Sequence, residues 1–371
     1  MHTMHPMHTT HHNRSSGARR GFTITEAAAV AAAVTVIAAS TVPVFRRVGC
    51  NAMREQSAAQ LATLAAAHAE YAADYNGRQF TACPDNLGAF GGDFAAYQQA
   101  NGCVPPLVLG TSSNGATTSY AVGFGSCPGS LANGPALVPL TFSGASQGFG
   151  SFRLMNNRGF NTYVGGRFYD QTFYAPDDPA MKRNIQRWIN EGRDFETVGG
   201  GFLASTYDYS PAAMLHPRVF GDGTSPTSPT YLSPNSVPNG EGYKSPSNAQ
   251  CLHPSLKTRL LERHCMEPYL GMNPNVPGGQ TPYQWNHSHF SRSHAAFFDG
   301  SVRLFTSGEA MDAEARTRIA GTNVITPLWL RSSPFGSNGF YGAQSHDFLV
   351  KTSAHYLTTN GIRGRDTLPP P

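Results

Sequence analysis

The chain has 371 residues, with 27 Lys+Arg against 23 Asp+Glu, a net charge of +4 and only 13% charged side chains. That is about half the charged share of an ordinary soluble domain and excludes a Glu/Lys-rich coiled-coil rod. With 40% hydrophobic and 11% aromatic residues a wholly disordered chain is excluded, the glycines follow no collagen triplet, and +4 is too weak and dispersed to imply a nucleic-acid partner. Together with 39 Gly and 27 Pro, the low charge points to a loop-rich β structure outside the cytosol.

Residues 1–21 contain no acid, three arginines (Arg14, Arg19, Arg20) and five of the 14 histidines. From Ala27 to Phe45 there are 19 residues without a charge, eight of them alanine. A helix of that length spans about 28 Å, enough for the hydrocarbon core of a bilayer. Three readings fit a basic stretch followed by an apolar one. An export signal would be cut at the small residues Ala38-Ala39-Ser40, and Arg19-Arg20-Gly21-Phe22 is similar to a twin-arginine signal. An uncleaved anchor would keep the segment.

The third reading rests on Arg19-Arg20-Gly21-Phe22-Thr23-Ile24-Thr25-Glu26, which resembles the processing site of type IV prepilins and of the pseudopilins of type II secretion systems. In that family a basic leader ends in Gly, cleavage exposes Phe, and a Glu stands four residues later. The resemblance implies cleavage by a prepilin peptidase between Gly21 and Phe22, with N-methylation of Phe22. It also implies a leader in the cytoplasm and a body on the far side of the inner membrane, held by a single pass. Arginines on the two sides (Arg14, Arg19, Arg20 against Arg46, Arg47, Arg54) leave the orientation open.

Glu26 decides between these readings. A carboxylate in an apolar helix costs about 2.5–3.5 kcal/mol at mid-bilayer on insertion scales, and a signal-peptide core has no use for it. In an assembling pilin it can neutralise the new α-amine of a neighbouring subunit, since a buried pair is far less costly than a lone buried charge. The plainer alternative leaves Glu26 solvated at the interface, near a helix N-terminus.

After Cys50 the pattern turns amphipathic. Met53, Leu61, Leu64, Ala65, His68, Ala72 and Tyr75 share one face, and Asn76-Gly77 is a stop signal. The expectation is one helix from Phe22 to Tyr75, loosened at Pro43, with a transmembrane first half at about 27–45. His68 reads as a core residue rather than a ligand. The expected organisation is a leader at 1–21, a helix at 22–76 and an exported body at 77–371. The expected fold is α+β, a long helix packed on a loop-rich antiparallel sheet, pilin-like.

In the body, Cys83, Cys103, Cys127, Cys251 and Cys265 are odd in number. Cys83–Cys103 and Cys251–Cys265 are the nearest pairs in sequence, but connectivity stays open. No C-x-x-C supports a zinc ribbon or redox site. Strands are expected at Ser119–Phe124, Gly150–Met155 and Gly166–Tyr174. Helices are expected at Pro179–Asn190, capped by Asp177 or Asp178, and at Glu309–Ile319. Residues 221–250 read as an irregular Pro/Ser/Gly loop outside any core.

Residues 295–305 read as a hairpin, Ala295–Phe298 and Ser301–Phe305, around an Asp299-Gly300 turn of type I′. His289, nine intervening residues, then Asp299-Gly300 resembles the C-terminal motif of a large bacterial family of prepilin-like proteins that carries the same cleavable leader. His287, His289, His294 and Asp299 are metal-ligand types, but a hairpin with packed histidines is the stronger reading and no cofactor is expected. Ser126 lies outside any Gly-x-Ser-x-Gly elbow, and no phosphate loop, dinucleotide fingerprint or His-Glu-x-x-His occurs. The expectation is therefore not an enzyme but an exported structural protein, with prepilin peptidase, other pilin-like subunits or a secretion apparatus, and the bilayer as partners. Losing the leader removes three arginines and takes the net charge to +1, which suits protein packing over polyanion binding. The alternative is an exported soluble binding protein or hydrolase, freed by cleavage near Ser40.

Overall fold

The computed structural model describes residues 52–127, 136–144, 146–176, 178, 181–198, 201–221, 228–265, 283–284, 289, 291–323, 325–335 and 352–369. The leader, the Gly21-Phe22 site, Glu26, the apolar stretch 27–45, Pro43, Cys50 and His287 lie outside the described residues. The chain divides into two compact units, Met1–Ala52 and Met53–Pro371, and the described architecture is that of the second. No described helix is long and apolar enough to cross a membrane.

Helix α1 covers 52–74. Its alanines favour the helix, and its buried residues recur at steps of three and four: Ser57, Gln60, Leu61, Leu64, Ala65, His68, Tyr71 and Ala72. The expected face is thus present, shifted at its ends: Met53 is half-buried and Tyr75 is 49% exposed. Asn76 takes the left-handed conformation (φ 55°) and Gly77 N–H bonds the Ala72 carbonyl at 2.6 Å, which closes the helix in a Schellman motif. Two short helices follow, α2 (Phe94–Asn101) and α3 (Arg158–Asn161). They start at Asp93 and Asn157, whose side chains accept from Ala95 N–H (2.7 Å) and Gly159 N–H (2.8 Å).

The main sheet is antiparallel, in the order β3 (Tyr207–Tyr209), β4 (Thr258–Glu262), β7 (Arg292–Phe297), β8 (Val302–Thr306). Two small antiparallel pairs form separate sheets: β1 (Leu107–Thr111) with β2 (Thr117–Tyr120), and β5 (His264–Cys265) with β6 (Tyr283–Gln284). The class is α+β. Alternation along β3 explains how the layers meet. Tyr207 and Tyr209 share one face and reach α1: Ser57 Oγ lies 2.9 Å from the Tyr207 hydroxyl, which donates to Gln60 at 2.8 Å, and His68 stacks between Phe160 and Tyr209 at 4.1 and 4.5 Å. Asp208, on the other face, accepts from the Tyr356 hydroxyl at 3.0 Å, which places the C-terminal segment 352–369 there.

Several expected elements are replaced. Of the first expected strand, Ser119–Phe124, only Ser119 and Tyr120 pair, as the end of β2; residues 121–124 form no strand. Gly150–Met155 forms a 3₁₀ turn at Ser151–Arg153, and Gly166–Tyr174 is a run of turns ending in a 3₁₀ turn at Gln171–Phe173. Phe152, Leu154 and Met155 are all buried, and side chains do the bonding a ladder would do. The Asp194 carboxylate accepts from Thr111 N–H (2.8 Å), Phe168 N–H (3.1 Å) and Arg158 (2.9 Å), tying three segments together. The helix expected at Pro179–Asn190 is a π-helical Met181–Ile185 running into α4 (Gln186–Asn190), with Asp178 accepting from Met181 N–H at 3.4 Å. The loop 221–250 is partly core: Pro234, Val237 and Ser245 are buried, and Gly240 approaches Gly88 so closely that a Cβ on Gly88 would sit 2.5 Å from the Gly240 carbonyl oxygen.

Neither nearest-neighbour cysteine pair forms. Cys103 bonds Cys127, with Cα atoms 5.5 Å apart, while Cys83 and Cys251 are free thiols. The reason is the β1–β2 hairpin. Its antiparallel return (Leu107 opposite Tyr120) brings together the chain on either side of it, so residues far apart in sequence become neighbours. Cys83 stays buried in the second core cluster with Leu87, Phe94 and Leu154, where burial pushes its thiol pKa well up.

Candidate functional site

The His-x9-Asp-Gly stretch frames β7 and the start of helix α5 (Ser307–Arg316). The first N–H groups of a helix have no partner within it. Here the chain entering β7 supplies two: Ser307 N–H donates to the Ser291 carbonyl and Gly308 N–H to the His289 carbonyl, each at 2.9 Å. The Thr306 hydroxyl accepts from Glu309 N–H at 2.9 Å, so α5 begins two residues earlier than expected and ends at Arg316. The His289 ring lies against Gly308, where a Cβ would meet the His289 carbonyl oxygen at 2.8 Å and Nε2 at 2.9 Å.

At the other end of β7, Asp299 and Gly300 close the hairpin, but not as a type I′ turn. Only Gly300 has positive φ (86°), Gly300 N–H bonds the Phe297 carbonyl, and Phe297 N–H bonds that of Ser301. This is a three-residue loop with a left-handed glycine after a turn. Asp299 contributes through its carboxylate, which accepts from Ser301 N–H (2.9 Å) and Oγ (2.6 Å).

His289 and Asp299 are therefore separated by the whole of β7, six residues or about 20 Å of strand, and cannot hold one ion. His294, in mid-strand, faces neither: its N–H donates to Glu262 Oε2 at 3.1 Å and its Nδ1 lies 3.4 Å from the same oxygen. Among the described residues no group of three His, Cys, Asp or Glu could hold a metal. The nine-residue spacing is the length of a strand plus its two ends. One end caps a helix, and the other makes a turn.

A cluster missed in the sequence lies beside this hairpin. Lys257 precedes β4 and is fully buried against fully buried Asp366, Nζ to Oδ2 at 2.8 Å. The ammonium also donates to Ser210 Oγ (2.9 Å) and Thr358 Oγ1 (2.8 Å). The Asp366 carboxylate further accepts from His355 N–H, Thr258 N–H, Thr258 Oγ1 and Thr358 Oγ1 at 2.5–3.0 Å. Burial raises the Asp366 carboxyl pKa, and the Lys257 charge and these donors overcome that, holding it at about 2. Burial, reinforced by Lys257, lowers the His355 ring to about 3, so it stays neutral.

A serine 2.9 Å from a lysine is the geometry of a Ser–Lys nucleophile pair. Here all three ammonium protons are committed and Ser210 Oγ donates to the His355 carbonyl at 2.5 Å. Ser210, Lys257, Thr258, His355, Thr358 and Asp366 are all fully buried. The arrangement binds the C-terminal segment to the sheet and offers no group to a substrate. Nothing local in the sequence pairs Lys257 with Asp366, which stand 109 residues apart. No protein family, curated protein or solved structure matches the chain.

Proposed function

We propose that the protein is a pilin-like or pseudopilin-like structural component of the cell envelope, cut by a prepilin peptidase between Gly21 and Phe22. It is held in the inner membrane, or in an assembly of like subunits, through its N-terminal helix. The observation that carries the reading is the order Gly21-Phe22-Thr23-Ile24-Thr25-Glu26 followed by 19 uncharged residues. Two further features support it. Residues 52–74 form a helix with one buried face, the form expected of the second half of such a helix. The Cys103–Cys127 disulfide belongs to an oxidising compartment.

In such an assembly Glu26 meets the α-amine of Phe22 in a neighbouring subunit, where either charge alone is strongly disfavoured. Glu26→Ala then leaves processing intact and weakens assembly, read by cross-linking of membrane fractions. Normal assembly of the Ala variant overturns the charge-pair role. Recovery of the wild-type chain in the soluble extracytoplasmic fraction overturns the anchoring.

A further inference from the structure

A cavity of about 890 Å³ opens between the C-terminal segment and the chain that follows α5. Its lining includes Arg316, Arg363, Arg365, His253, Thr359 and Asn360, and no Asp or Glu among the described residues. Three arginines line one concavity in a chain of net charge +4. Several other arginines pair with carboxylates: Arg78 with Asp85, Arg158 with Asp194, Arg303 with Glu309, Arg331 with Glu314. Among the described residues Arg363 and Arg365 have no side-chain hydrogen-bond or ion-pair partner, and Arg316 donates only to the Pro369 carbonyl at 2.7 Å. A second, independent feature is Thr359. It is 9% exposed, lines the cavity, and its hydroxyl has no hydrogen-bond partner, a state uncommon for a buried polar atom.

The positions are held from behind. Thr359 N–H bonds the Leu328 carbonyl at 2.9 Å, Arg363 N–H bonds that of Asn360 at 3.1 Å, and Asp366, next to Arg365, is fixed in the buried lysine cluster. Guanidinium groups carried on a backbone held in this way match the planar oxygens of phosphoryl and carboxyl groups, two bonds at a time. The cavity is the size of a small-molecule site rather than of a bare ion.

We propose that this cavity binds a small ligand bearing two or more oxyanion groups, phosphoryl or carboxyl, on Arg363, Arg365 and Arg316, with the Thr359 hydroxyl as an additional donor. The site stands independently of the pilin-like reading. The test is titration calorimetry on the full chain in detergent, at low ionic strength, with inorganic pyrophosphate and with citrate as separate probes. Saturable one-to-one binding of at least one probe is expected, weakening as salt rises. The probe that binds more tightly distinguishes phosphoryl from carboxyl chemistry. Arg363→Gln/Arg365→Gln lowers affinity at least tenfold, Thr359→Val lowers it less, and Arg187→Gln, on the exposed side of α4, leaves it unchanged. Unaltered melting temperatures of the ligand-free variants exclude misfolding as the cause. Absence of saturable binding of both probes to the wild type, or equal weakening by Arg187→Gln, overturns the proposal.

Discussion

The Asp366 carboxylate accepts hydrogen bonds from Lys257, His355, Thr358 and, twice, Thr258, so its removal should be felt throughout the C-terminal segment. Asp366→Asn leaves the Lys257 ammonium buried without its counter-charge and should destabilise the body by about 3–5 kcal/mol, measured by urea unfolding. The pH dependence has a definite sign. His355 is held at about 3 when folded, below its unfolded value near 6.5, so the unfolded chain binds the extra proton and stability falls as pH drops from about 6.5 toward 3. His68, lowered by burial, acts in the same direction. Asp366, at about 2 when folded against about 3.9 unfolded, adds a second loss as pH falls from about 4 to 2. Each group contributes a slope of up to about 1.4 kcal/mol per pH unit. Urea midpoints should therefore fall between about pH 7.5 and about pH 5, and an unchanged midpoint would contradict the neutral buried histidines. Gly308→Ala tests the motif's first residue. Its new Cβ meets the His289 carbonyl oxygen, and about 1–3 kcal/mol of destabilisation is expected. Gly300→Ala meets open space but keeps φ at 86°, for about 1–2 kcal/mol.

Among the elements, α1 was legible because burial on one side of a helix imposes a period that alanines do not hide. The stop at Asn76-Gly77 was legible because a left-handed residue is chemically marked. The hairpin at 292–306 was legible for the same reason, although Asp299 suggested the wrong turn type. The region 136–176 was not legible. Its Phe152, Phe168 and Phe173 are core residues on turns and 3₁₀ backbone, where aromatic content no longer signals a strand and side chains such as Asn157 and Asp194 replace the ladder. The disulfide was hidden because hairpin closure, not sequence distance, sets which thiols meet. It links cysteines 24 positions apart around β1–β2, so Cys103→Ser should cost about 3.5 kcal/mol on the chain-entropy scale. Chemical unfolding with and without the bond checks this. Leu64→Ala, at a fully buried point of α1, should cost about 2–5 kcal/mol by the same assay.

At the scale of the molecule, an irregular body is held by a few long-range devices. α1 and the C-terminal segment clasp opposite faces of β3, through Tyr207 and Tyr209 on one side and Asp208 on the other. The lysine cluster and the 103–127 bond fix the segments between. Of the site residues named from the sequence, His289 bonds the start of α5 and Asp299 and Gly300 close a turn, while Gly21, Phe22 and Glu26, outside the described residues, carry the functional proposal. Lys257 and Asp366 were invisible because a tertiary ion pair leaves no periodic trace. The central proposal is that a protease creates the working N-terminus at one defined bond, and Edman or mass-spectrometric sequencing of the protein purified from the cells that make it tests this most directly. The predicted result is a chain beginning at Phe22, with a methylated α-amine. A chain beginning at Thr41, or one retaining Arg19-Arg20-Gly21, would contradict it.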